Sequence, residues 1–173
     1  MRMTLASLSI LMLAAASAGA QQAPRPAVDV SAEQIAAVAK ACAATVCDQS
    51  VRMVDVGRYN VGVGVVQRSP GTQGAIEHSK ITEVYHMLEG AAVLVTGGTM
   101  PDAKPFPPES PVVTVLNGPS TMGVRIEGGT SRRVQAGDVV IIPPDTPHWW
   151  SSLEGKIVYL VVRVDPDKLV RTK

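Results

Sequence analysis

The chain has 173 residues, with sixteen Lys or Arg against fifteen Asp or Glu, three histidines and two cysteines. That length builds one domain with a proper core rather than two. The balanced charge, scattered without runs, excludes a nucleic-acid footprint and a polybasic membrane surface.

Residues 1–20 carry the pattern of a secretory signal peptide. Arg2 supplies the positive start, Leu5 to Ala16 an apolar run too short to span a bilayer, and Ala18-Gly19-Ala20 a small-residue cleavage site. Gln21 is then the expected new N-terminus and the periplasm or the exterior the expected location; a retained anchor is the alternative. Losing Arg2 leaves fifteen basic residues against fifteen acidic ones. Export implies an oxidising compartment, so Cys42 and Cys47 are expected to form a local disulfide closing a helix end. Two free thiols or an intermolecular pair are the alternatives, and the role is structural in each case.

Residues 21–48 read as a Pro-containing linker and a short helix. Ser31 and Gln34 have capping-box spacing, and an Ala-rich run continues to about Ala43. From 49 to 173 the chain reads as one all-β domain. Valine-rich alternation over residues 51–68 is followed by strand-like runs at 83–88, 91–96, 112–116, 121–127, 132–135, 139–142 and 157–164. Gly/Pro turn signals separate them, which means a sandwich or barrel. Gly97 to Pro111, with five prolines, breaks the rhythm and reads as a long ordered loop: a lid, a surface excursion or a subunit contact.

The chemistry concentrates in "EHSKITEVYH", residues 77–86. Strand alternation puts Glu83, Tyr85 and Met87 on one face and Val84, His86 and Leu88 on the other, so His86 is set aside as structural or interfacial. His78 and Lys80 share a face, and a turn around Ile81-Thr82 would bring that face to Glu83. His148 follows a strand and a proline-stiffened turn, "GDVVIIPPDTPHWW". Two imidazoles and a carboxylate form a good divalent-metal set with open positions. Of Trp149 and Trp150, one is expected to line the pocket and the other to face core or interface. Arg58, Asn60 and Arg125 are candidates to grip a carboxylate, against the plainer reading of solvated strand faces.

These two stretches resemble the paired motifs of the cupins. The first cupin motif is a His-x-His pair, a Glu, six residues and a Gly; here stand His78-Ser79-Lys80, Glu83 and Gly90. The second is a Gly, five residues, a Pro-x-Gly turn, two residues, a His and, four further on, an Asn; here stand Gly137, Pro143, Asp145, His148 and Ser152. The resemblance covers about residues 50–165 and implies a double-sheet jelly-roll barrel. It also implies one divalent transition metal (Fe, Mn, Ni or Zn) held by His78, Glu83 and His148, and association as a homodimer.

Lys80 departs from the pattern, because an ammonium cannot ligate. Three outcomes follow: a three-ligand site with Lys80 steering an anion, Lys80 as general base, or a metal-free pocket with Lys80 paired to Glu83. The corresponding functions are a metal-dependent oxygenase, isomerase or lyase with Lys80 and Tyr85 handling protons, or a non-catalytic binder of a sugar-like or anionic small molecule. No nucleic-acid partner and, after cleavage of the signal, no membrane is expected.

Overall fold

The computed structural model describes residues 26–42 and 44–172, so the signal-peptide segment lies outside the described residues. A helix, α1 (Ala32–Ala41), precedes eleven strands: β1 (Val46–Asp55), β2 (Asn60–Arg68), β3 (Ala75–His78), β4 (Thr82–Glu89), β5 (Ala91–Thr96), β6 (Lys104–Pro105), β7 (Ser120–Gly123), β8 (Thr130–Gln135), β9 (Val139–Ile142), β10 (His148–Leu153) and β11 (Ile157–Asp165). Among the described residues no helix is long and apolar enough to cross a membrane.

The capping box closes as its spacing predicts. Gln34 N donates to Ser31 Oγ at 3.1 Å, and Ser31 N donates to Gln34 Oε1 at 2.9 Å. This satisfies two of the helix's orphan donors. No residue of α1 is buried, although the helix rests against β1 and β2. Its far end is stapled: Cys42, the C-cap, is bonded to Cys47 in β1. The first strand therefore begins at Val46, inside the segment read as linker and helix.

Among the described residues all strand pairings are antiparallel, in two sheets. One runs β1-β2-β11-β4-β9 and the other β6-β7-β3-β10-β5-β8. Between them lies the main core, built on Val66, Tyr85, Met87, Leu94, Trp150, Ile157, Tyr159 and Val161. Each such large side chain contributes roughly 1.5–3 kcal/mol through burial. The alternation in β4 is as expected: Glu83, Tyr85 and Met87 are buried, while His86 and Leu88 are exposed.

Two crossings between the sheets matter most. The chain leaves one sheet after His78 and enters the other at Thr82; it returns between Ile142 and His148. The crossings touch, with Asp145 N donating to His78 O at 2.9 Å. Two motif positions acquire a physical reason here. Gly90 has φ +79°, and a Cβ there would stand 2.2 Å from Lys156 O, so no side chain fits. Asp145, in place of the motif's Gly, has φ 56°, a left-handed conformation that Asp tolerates better than most residues.

The structure corrects the sequence reading in places. Residues 112–116, read as a strand, belong to a π-helical segment, Val112–Asn117. Ser110 O anchors it, accepting from Val113 N, Thr114 N and Thr114 Oγ1. β7 stops at Gly123, so Arg125 lies in an exposed loop paired with Glu127 rather than on a strand. The prolines of 97–111 surround β6, which pairs with β7.

Candidate functional site

His78, the last residue of β3, and His148, the first of β10, lie side by side in one sheet, because β3 and β10 pair through Ile76 and His148. Their rings meet edge-on with centroids 5.1 Å apart. Glu83 faces them from β4 in the opposite sheet. Its Oε2 stands 3.5 Å from His78 Nε2 and 3.5 Å from His148 Nε2. All three residues are buried, and one ligand-type atom from each falls within 4.8 Å of the others.

The surrounding hydrogen bonds fix what each atom presents. Ser120 Oγ donates to Gly118 O at 2.9 Å, so toward His78 Nδ1, 2.8 Å away, it acts as acceptor. His78 Nδ1 therefore carries the proton and Nε2 the lone pair. His148 Nδ1 lies 3.0 Å from Thr146 O, which only accepts, so the same tautomer follows; its buried Nε2 has no hydrogen-bond partner. Burial and the neighbouring His78 push the His148 pKa down to about 4, keeping the ring neutral.

Glu83 is held from two sides. Arg163 Nε donates to Oε1 at 2.9 Å, and Tyr85 Oη donates to Oε2 at 2.6 Å. Burial opposes ionisation of Glu83, but the charge of His78 when protonated and the Arg163 guanidinium outweigh it and hold the carboxyl well below the usual range. Burial, then the Glu83 charge, raises Tyr85 well above an ordinary phenol. Arg163 also reaches Asp48 Oδ2 on β1 at 2.5 Å. A cavity of about 220 Å³ opens on this group, with Val46, Phe106, Val112 and Met122 among its apolar walls. The Pro-rich segment thus supplies one wall through Phe106, and the π-helical segment another.

Lys80 stands outside this group, which corrects its placement as a pocket residue. Its side chain is 55 % exposed and pairs with Asp167 at 3.9 Å. The next residue, Ile81, packs with Met53 and Val170, and that inward turn leaves Lys80 facing solvent. Neither Trp lines the cavity. Trp150 stacks behind Tyr85 with centroids 6.3 Å apart, while Trp149 donates from Nε1 to Gln73 O at 2.8 Å. Arg58 is exposed in the β1–β2 turn, and the Asn60 amide is occupied by Val170 O at 3.1 Å.

The carboxylate-gripping residue is instead Arg163, unremarked in the sequence. The inward face of β11 reads Ile157, Tyr159, Val161, Arg163, Asp165, all buried. Strand alternation from Tyr159 would have found it.

With both motifs meeting inside one two-sheet antiparallel barrel, the chain has the cupin fold. No protein-family model matches the sequence, and comparison with curated proteins returns no match. Solved structures of similar fold include the DMSP lyase DddQ from Ruegeria pomeroyi, with TM-score 0.44 and 18% identity over 69% of this chain and 46% of that one. A recombinant oxalate oxidase in complex with glycolate gives TM-score 0.47 and 15% identity over 73% and 54%. A Cupin 2 conserved barrel domain protein from Salinispora arenicola gives 0.42 and 15% over 68% and 74%. The chain spans about half the length of the first two.

Proposed function

We propose that this cupin-type barrel is an exported enzyme that binds one divalent transition-metal ion through His78, Glu83 and His148 and acts on a small molecule in the adjacent cavity. The observation that carries the reading is the convergence of three acceptor atoms. His78 Nε2, His148 Nε2 and Glu83 Oε2 face one another, and neither imidazole nitrogen has a proton to offer the carboxylate. Tyr85 Oη satisfies one lone pair of Oε2, but the two imidazole lone pairs still face the carboxylate with no donor between them, which is costly unless a cation joins them. Two nitrogens and one carboxylate oxygen suit Fe, Mn, Ni or Zn and leave coordination positions for substrate.

When bound, such an ion supplies Lewis acidity or, if redox-active, oxygen activation, the chemistry of lyases, isomerases and oxygenases. The chain's own residues prepare the site. Arg163 occupies Oε1 of Glu83 and so presents Oε2. Tyr85, donating to that same oxygen, is a positioning residue; its raised pKa makes it a poor proton-transfer group near neutral pH. Ser120 and Thr146 hold the tautomers, and the apolar walls limit water around the reacting groups. The rival metal-free pocket, with Lys80 neutralising Glu83, lacks its ion pair, since Lys80 faces Asp167.

The test is metal content. The full chain, expressed with its export segment and purified without chelator or metal-affinity resin, is expected to carry one transition-metal ion, lost in His148→Ala. No bound ion after anaerobic loading with iron, manganese, nickel and zinc overturns the reading.

A further inference from the structure

The cavity wall carries one ionised group that the candidate metal site does not use. Arg68, at the end of β2, lines the cavity beside His78, Glu83 and His148. Its Nε donates to Tyr159 Oη at 3.1 Å and its Nη1 to Gln73 Oε1 at 3.2 Å, both neutral acceptors. Among the described residues no carboxylate lies within ion-pair distance of it. Arg163 in the same wall is the contrast, because it holds both Asp48 and Glu83. A part-buried guanidinium oriented by neutral groups keeps its charge and its remaining N–H donors for something else.

The charged lining residues are Arg68, Arg163, Asp48 and Glu83, in balance by themselves. A divalent cation at the candidate site would leave the wall with a positive excess, which favours an anion. Val46, Val66, Ile76, Phe106 and Leu116 make the rest of the wall apolar.

We propose that this cavity takes a small-molecule carboxylate, with the remaining N–H donors of Arg68 binding the carboxylate group. The inference rests on the proposed function in treating the cavity as the substrate site and in the positive excess a bound cation would bring; the Arg68 contact itself requires no metal.

The test is calorimetric titration of the full chain with 2-hydroxybutyrate, butyrate and 2-hydroxybutanamide, in chelator-treated and in manganese-loaded protein. Both acids are expected to bind, with the amide weaker than 2-hydroxybutyrate by roughly 10-fold or more. Arg68→Gln is expected to abolish the preference for the acid over the amide, and Arg68→Lys to retain part of it. A merely structural Arg68 would weaken both ligands alike. Should Arg68→Gln fail to fold, the ligand order in the parent decides. The proposal is overturned if the amide binds as tightly as the hydroxy acid, if Arg68→Gln keeps the preference, or if none of the three gives a saturable heat in either state. Because the chelated arm reads Arg68 alone, a failure of the metal site shows separately, as manganese making no difference.

Discussion

Arg163 is the residue whose removal most sharply tests the account of the site. It is 3 % exposed and joins three strands, reaching Glu83 on β4 at 2.9 Å and Asp48 on β1 at 2.5 Å from its own place on β11. Arg163→Met keeps much of the volume and removes the charge. Asp48 Oδ1 already lacks a partner, and the variant strips Oδ2 and Glu83 Oε1 as well. Breaking a buried pair by deleting one partner costs about 3–5 kcal/mol, because the remaining charge stays buried. At about 2–4 °C per kcal/mol for a domain of this size, the melting temperature should fall by about 6–20 °C. Thermal unfolding followed by circular dichroism in chelator reads this directly. The double variant Arg163→Met/Glu83→Gln should recover part of the loss, since one stranded carboxylate becomes neutral. A melting temperature for Arg163→Met within about 2 °C of the parent would refute the reasoning.

Acid should destabilise the metal-free protein before ordinary carboxylates titrate. His148 has a folded pKa of about 4 against 6.5 unfolded, so the unfolded chain binds more protons between those values and stability falls as pH drops from about 6.5 to 4. The loss should approach about 3 kcal/mol at roughly 1.4 kcal/mol per pH unit, and Glu83, also held low, extends it further into acid. Urea titrations at pH 7, 5.5 and 4 check this; a flat profile contradicts a buried neutral His148. Lys80→His should neither tighten metal binding nor move stability by more than about 0.5 kcal/mol, because that side chain faces solvent and Asp167. A clear gain in metal affinity would return residue 80 to the site. Gly90→Ala should be among the most damaging single changes, since its Cβ meets Lys156 O at 2.2 Å; a parent-like melting temperature would show that the β4–β5 turn relaxes freely.

The features legible in the sequence are those set by local periodicity. The inward face of β4, the capping box of α1 and the spacing that brings His148 to His78 and Glu83 all follow from alternation, short-range hydrogen bonding and turn chemistry. The apolar, β-branched run Val112-Val113-Thr114-Val115 misleads because its conformation is decided by neighbours far away in sequence. It is tied by Ser110 at one end, and Thr114 O accepts from Arg171 N near the C-terminus. Lys80 misleads for a related reason. Two-residue alternation ends with β3 at His78, and the crossing that follows turns Ile81 inward in its place. Arg163 needed only the alternation already visible in β11, but a lone cation in an apolar strand draws no motif to itself. The roles of Ser120 and Thr146 depend on where a serine proton and a carbonyl point, which spacing does not encode.

His78 and His148 belong to the six-stranded sheet, while Glu83, Tyr85, Arg163 and Asp48 belong to the five-stranded one. Anything that grips all three candidate ligands at once is therefore a rivet through the sandwich rather than a passenger inside it. Opening the two layers even locally would separate the imidazoles from the carboxylate and release the occupant. Occupancy would in turn hold the layers shut, adding to stability in proportion to the logarithm of free ion concentration over its dissociation constant. Amide protons of β3 and β10 on one side and of β4 and β11 on the other would then slow their exchange together, as parts of one clamped unit.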